Sequence, residues 1–101
     1  MWLFALFDLP VVTKAQKREY VRFRKFLLKE GFCMLQYSVY ARYYVSEEST
    51  EPIRSAIRAS TPPQGQVRVV SVTDRQFSKM EVYYGKKRKP AEEPPRQLML
   101  F

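Results

Sequence analysis

One carboxylate in this chain is placed as a functional group would be. Asp8 follows six apolar residues at positions 2–7 and precedes the turn-forming pair Leu9-Pro10. An apolar run without alternation predicts a strand buried on both faces. A strand that ends in a carboxylate brings oxygen ligands to the edge of a sheet, and hard cations such as Mg²⁺ prefer oxygen ligands. Asp8 is therefore the candidate metal ligand and catalytic residue.

Composition excludes several other kinds of site. The chain contains no histidine and one cysteine, Cys33. Nucleophilic sites built on histidine are therefore impossible, and a tetrahedral zinc site is too. The sequence also lacks a phosphate-binding glycine loop and a dinucleotide fingerprint. Carboxylate chemistry with a hard cation remains.

A single carboxylate per chain is a poor metal site. A two-fold homodimer duplicates any residue near its axis, so two copies of Asp8 would share one Mg²⁺ ion between protomers. The alternative is that Asp8 only forms the turn with Leu9 and Pro10 or caps backbone amides. The sequence leaves both interpretations open.

The charge balance indicates a polyanionic partner. There are 18 Lys and Arg against 10 Asp and Glu, a formal net charge of +8. Such a balance is typical of nucleic-acid binding, although small proteins are also basic for solubility alone. One set of cations recurs at helical spacing within about 80° of arc, which is either a phosphate-binding stripe or an ordinary solvated face: Lys14, Arg18, Arg22, Lys25 and Lys29.

The elements that must position these groups follow from periodicity. Residues 14–29 predict a helix with Tyr20, Phe23 and Leu27 toward the core, started by Thr13 and stopped by Gly31. Residues 32–45 alternate with a period of two, which predicts a long strand broken by a bulge or tight reversal near 36–38. A shorter helix before 60–63, a strand at 67–72, a turn at 73–76 and a strand at 80–84 complete the order.

This order predicts an α+β sandwich of ferredoxin-like βαββαβ type, with two helices on one face of a mainly antiparallel sheet. Residues 1–85 form the domain, followed by a basic, proline-rich linker at 86–96 and a C-terminal strand at 97–101 that pairs with a neighbouring sheet edge.

No apolar run is long enough to span a bilayer, and the lone cysteine fits a reducing compartment. We therefore expect a cytoplasmic protein without membrane contact.

Three segments together resemble the family of small CRISPR-associated adaptation proteins, the second of the two core adaptation subunits, often named as an endoribonuclease. They are FDLP at residues 7–10, KEGF at 29–32 and LQYSVY at 35–40. The resemblance is specific over about residues 1–45 and looser beyond. It implies a ferredoxin-like homodimer that bridges dimers of the CRISPR integrase subunit and holds double-stranded spacer DNA. In some members it also implies metal-dependent cleavage of RNA or DNA.

The resemblance also implies roles for particular residues. Asp8 of each protomer matches the family's metal-binding aspartate. Ser38 matches a recurrent serine without an assigned role, and with Arg42 it is a candidate for shaping the site. The cations at positions suited to phosphate contact are Lys14, Lys17, Arg18, Lys86, Lys87, Arg88 and Lys89.

Two functions of different classes are compatible with these features. In the first, the dimer is a phosphate-binding scaffold in spacer integration. In the second, it is a nuclease whose paired Asp8 carboxylates hold Mg²⁺. We favour the scaffold as the biological role because a shared single-ligand site is weak for catalysis. A toxin-like, metal-dependent endoribonuclease of the same fold outside CRISPR is the alternative.

Overall fold

One antiparallel sheet organises the part of the chain that the computed structural model describes, residues 1–85. Its four strands stand in the order β2-β3-β1-β4. They are β1 (Trp2–Asp8), β2 (Cys33–Gln36), β3 (Val39–Tyr43) and β4 (Gln66–Val72). The predicted linker at 86–96, with its cationic block, and the predicted strand at 97–101 lie outside the described residues.

Three helices accompany the sheet: α1 (Lys14–Lys29), α2 (Glu51–Ser60) and α3 (Asp74–Ser78), with a 3₁₀ turn at Glu48–Thr50 before α2. The order of helices and strands along the chain confirms the predicted α+β class. Together with the order of strands in the sheet, it is compatible with the ferredoxin-like fold. Within residues 1–85, none of the helices combines the length and apolar character needed to cross a bilayer.

Helix α1 begins and ends where its sequence signals predict. Thr13 Oγ1 accepts a hydrogen bond from the Gln16 backbone N–H at 3.1 Å, and Gln16 Oε1 accepts one from the Thr13 N–H at 3.0 Å. This capping box satisfies amides that the first turn would otherwise leave unpaired. After Glu30, Gly31 adopts a φ of 91°, which a side chain would disfavour, and the helix ends.

The two faces of the sheet are covered unequally. Leu3, Ala5 and Phe7 of β1 are buried on the face that carries α1 and α2, in a core whose helical members include Phe23, Leu27, Ile53 and Ile57. The alternate residues of β1 point to the opposite face, where Phe77 of α3 stacks on Trp2 with ring centroids 4.3 Å apart. Towards Asp8 this second face carries no helix and is open, so the prediction that β1 is buried on both faces holds only at its Trp2 end. We call this open part the helix-free face.

The predicted break near residues 36–38 is a tight reversal that joins β2 to β3. Ser38 has a φ of 65°, the left-handed conformation that such a turn uses. The ladder also shifts register between Met34 and Gln36, so a bulge accompanies the reversal. The long alternating segment is therefore a hairpin rather than one strand.

Two predictions near the end of the described chain are wrong. Residues 73–76 are the start of α3 rather than a turn, because Thr73 and Gln76 form a second capping box. Residues 80–84 do not form a strand. Their alternation describes which side chains share a face, but a strand also needs a hydrogen-bonding neighbour, and none of the strands within residues 1–85 pairs with this segment.

Candidate metal centre and nucleic-acid surface

Asp8 is exposed at the end of β1, on the helix-free face of the sheet. The ladder places it directly opposite Gln66 of β4. Together with Leu6, Phe7, Gln66 and Arg68 it lines a shallow pocket of about 170 Å³. Its carboxylate accepts no hydrogen bond and forms no ion pair within residues 1–85. The carboxylate is therefore available to a ligand rather than used as a turn cap.

Two turns hold the backbone of this strand end from both sides. The Phe7 N–H donates to the Ser38 carbonyl oxygen at 3.1 Å. On the β4 side, a Cβ at Gly65 would lie 2.5 Å from the Asp8 carbonyl oxygen, so only glycine permits this approach. Ser38 thus supports the candidate site through its main chain.

Replacing Gly65 with alanine should lower the free energy of unfolding by about 2 kcal/mol, because the new methyl group meets backbone atoms and the residue has a φ of 91°. Urea denaturation measures this change. The matched control is Gly85→Ala, which finds open space and should change stability by less than about 0.5 kcal/mol. Equal stability of the two variants would show that the close approach at Asp8 does not constrain the fold.

The donor set around Asp8 suits a shared magnesium site better than a complete one. Within residues 1–85, no group of three or more His, Cys, Asp or Glu side chains could surround a metal ion. One protomer thus offers the Asp8 carboxylate, with the amide oxygen of Gln66 opposite it. Mg²⁺ keeps several waters and needs few protein ligands, so two such edges would suffice.

Neither the Tyr20 phenol nor the Cys33 thiol supplies a base at neutral pH. Burial, and then a hydrogen bond with Tyr37, raise the pKa of Tyr20 to about 12. Burial also raises the pKa of the Cys33 thiol. Both groups stay protonated, and since the chain has no histidine, water activation at this site would depend on a metal.

The predicted cations of α1 lie on the other side of the molecule. The apolar stripe of α1 packs on the helix-bearing face, so its cationic stripe points to solvent. Within the described chain, these exposed cations make no side-chain hydrogen bond or ion pair: Lys14, Lys17, Arg18, Lys25 and Lys29. The sheet and α1 itself therefore separate Asp8 from the basic stripe, although the two are neighbours in sequence.

Arg22 differs from the rest of the stripe. Its Nε donates to Glu19 at 2.6 Å, and its Nη2 donates to the Ser60 carbonyl oxygen at 2.8 Å. These contacts tie α1 to the end of α2. Of the predicted phosphate contacts within residues 1–85, Arg22 is the one whose guanidinium already makes hydrogen bonds within the protein.

Arg42 has a structural position. Its Nη1 donates to the Glu30 carbonyl oxygen at 2.6 Å and so caps the end of α1. Its guanidinium also lies 4.6 Å from the centroid of the Tyr44 ring. Arg42 supports the helix end and lies away from Asp8.

Arg68 and Gln66 belong to the Asp8 pocket and were not predicted from the sequence. They are alternate residues of β4 and pair with Leu6 and Asp8, respectively. Alternation shows that the two share a face, but the sequence does not reveal that this face is also that of Asp8. Only the register of β1 against β4 could have identified them.

A larger pocket of about 360 Å³ lies between the start of α1 and residues 62–64. Its walls include Leu9, Pro10 and Pro62, and its one ionisable lining side chain is Glu19, which already pairs with Arg22. This pocket is larger, but its lining has no free reactive side chain. The smaller pocket at Asp8 is therefore the candidate site for chemistry.

Comparisons with known proteins fit these features. The sequence profile of the family described as CRISPR associated protein Cas2 matches residues 1–80. A protein named CRISPR-associated endoribonuclease Cas2 from Parvibaculum lavamentivorans is 48% identical over 101 residues, which cover 100% of both chains. Proteins of the same name from Flavobacterium psychrophilum and Paracidovorax avenae are 42% and 37% identical over 100% of this chain, and the matches cover 88% and 94% of their own lengths.

Proposed function

The chain belongs to the CRISPR-associated Cas2 family, and from this premise we propose that it acts in CRISPR adaptation as a homodimer with two working surfaces. The cations of α1 hold duplex spacer DNA while the dimer bridges dimers of the integrase subunit. The paired Asp8 edges form a Mg²⁺-dependent nuclease site. The observation that carries the proposal is the placement of a free carboxylate and unpaired cations on opposite sides of one sheet.

The open part of the helix-free face supports homodimerisation. Val70 is 48% exposed and pairs with half-buried Phe4, while half-buried Leu6 pairs with Val39. Contiguous exposed apolar surface on a sheet usually marks an interface. Packing this face on a second copy would bury the patch. Asp8 lies at the edge of this patch, and a two-fold axis that passes beside that edge would also bring both Asp8 carboxylates together.

The proposed nuclease chemistry follows from this arrangement. The two Asp8 carboxylates would hold the ion, which when bound supplies a hydroxide nucleophile at neutral pH and polarises a phosphate oxygen. The role of Asp8 is to bind the ion and to fix its position. The names of the relatives above, which say endoribonuclease, favour RNA as one substrate.

The α1 cations support the DNA-holding role. Flexible, unpaired lysine and arginine side chains neutralise phosphates and carry no sequence information. A scaffold that accepts spacers of any sequence requires this kind of contact. The toxin-like alternative outside CRISPR receives no support, since the family and its named relatives are CRISPR-associated.

Replacing Lys14, Lys17 and Arg18 with glutamine should weaken binding of duplex DNA and flatten its salt dependence. The slope of log affinity against log salt should fall by about 0.9 for each phosphate that the variant no longer neutralises. Fluorescence anisotropy across a salt series measures this slope. The control removes the same charge from exposed cations outside α1, Arg58, Arg75 and Lys79. An unchanged slope in the α1 variant would refute the assignment of the DNA surface.

A further inference from the structure

The register of β1 against β4 puts a cation beside the candidate metal ligand. Asp8 pairs with Gln66, and Leu6 pairs with Arg68. Paired residues of an antiparallel ladder point to the same face, so Asp8 and Arg68 are diagonal neighbours. Both line the same pocket of about 170 Å³.

The Arg68 side chain is exposed and lightly held. Its one hydrogen bond within residues 1–85 runs from Nη2 to Gln66 Oε1 at 3.3 Å. It forms no ion pair with Asp8, although a diagonal neighbour is within reach of so long a side chain. Guanidinium and carboxylate are therefore both free to bind a third group in the pocket.

The charge balance of the proposed dimeric site favours such a cation. Two Asp8 carboxylates would offset the charge of one Mg²⁺, so no net positive charge would remain to balance the negative charge that develops on a phosphodiester. The α1 cations lie beyond the sheet. Arg75 lies in α3 and Lys79 directly follows it. Helix α3 packs at the Trp2 end of β1, about 20 Å along the strand from Asp8. In the described part of the chain, Arg68 is the cation that lines the pocket.

We propose that Arg68 is the phosphate-binding residue of the Asp8 site and stabilises the charge that develops during phosphodiester cleavage; this rests on the nuclease function proposed above. Arginine suits the task because its planar fork donates parallel hydrogen bonds to two phosphate oxygens. Gln66 orients the guanidinium through the 3.3 Å hydrogen bond.

The reaction is a hydrolysis. The oxygen of a water molecule forms a bond to phosphorus and the water gives up one proton to solvent, while the bond from phosphorus to the leaving nucleotide oxygen breaks and that oxygen takes a proton from solvent. Negative charge grows on the non-bridging oxygens as this happens. A guanidinium beside these oxygens lowers the barrier more than it tightens ground-state binding.

The test compares Arg68→Gln with wild type, using the full-length protein, an RNA oligonucleotide and Mg²⁺. We expect kcat to fall at least about 100-fold, with a much smaller change in KM. Arg68→Lys should recover part of the loss, since it restores charge without the fork. Arg58→Gln, a matched exposed arginine on α2, should stay within about twofold of wild type.

A second readout separates phosphate binding from support of the metal site. Calorimetric titration with Mg²⁺ should show equal or tighter binding to Arg68→Gln, because a neighbouring positive charge is gone. Weaker Mg²⁺ binding would make Arg68 a structural support and overturn the inference. Equal kcat for Arg68→Gln and an active wild type would also overturn it while leaving the nuclease proposal intact. An inactive wild type would overturn both.

Discussion

Replacing Asp8 with alanine should abolish Mg²⁺-dependent cleavage of RNA, with kcat lowered by more than about 100-fold. Loss of a residue that merely orients a metal ligand already costs 10- to 100-fold in general, so loss of the ligand itself should cost more. In the proposed dimer, one substitution removes both carboxylates. A gel-based cleavage assay over a range of Mg²⁺ concentrations measures the effect.

The controls for this experiment keep the fold and the charge comparable. Asp8→Asn preserves the shape of the side chain and should be as inactive as Asp8→Ala, while Glu48→Gln removes an exposed carboxylate elsewhere and should leave kcat unchanged. Sedimentation should show that all three variants remain dimers. Cleavage by Asp8→Ala at the rate of wild type would remove Asp8 from the mechanism. Spacer acquisition in cells carrying the variant would then show whether the carboxylate has any biological role.

Replacing Val70 with glutamate should convert the proposed dimer to a monomer of 12.0 kDa. Val70 is 48% exposed on the helix-free face, opposite Phe4 of β1. An uncompensated buried charge costs 3 to 5 kcal/mol in general, and the two-fold axis applies that cost twice, so the dissociation constant should rise by more than about 1000-fold. Analytical ultracentrifugation over a concentration series measures it.

The matched control for the interface is Val21→Glu. Val21 is 42% exposed, but it lies on α1. This variant should remain dimeric, which would show that added charge alone does not disrupt assembly. If Val70→Glu sediments as the wild type does, the helix-free face is not the interface, and the pairing of Asp8 residues loses its geometric basis.

The sequence predicts β1 and α1 closely because both carry strong local signals. An apolar run ends abruptly at Asp8, and α1 has a capping box at Thr13 and a left-handed glycine at position 31. The sequence does not decide between a bulge and a tight reversal near residues 36–38. The reversal uses Ser38 at a φ of 65°, and a serine, unlike a glycine, does not signal a left-handed residue. Residues 80–84 show what an alternating pattern cannot predict. The pattern indicates which side chains would share a face, but it does not indicate whether another strand pairs with the segment.

Long-range register was the information that the sequence lacked for the site. In the hairpin, the alternating set that looks polar contains Tyr40, which is 1% exposed, lies in the helix-facing core and accepts a hydrogen bond from Arg24 Nε at 3.0 Å. The more apolar set, with Ala41, packs on the other face beside Trp2. Arg68 was missed for the same reason, since only its pairing with β1 places it near Asp8.

The sheet between Asp8 and the cations of α1 separates the surfaces of the two proposed activities. Neither surface borrows a side chain from the other within residues 1–85. Substitutions at one surface should therefore change one proposed activity and leave the other unchanged. A homologue that takes part only in spacer acquisition would have no structural reason to retain the Asp8 site.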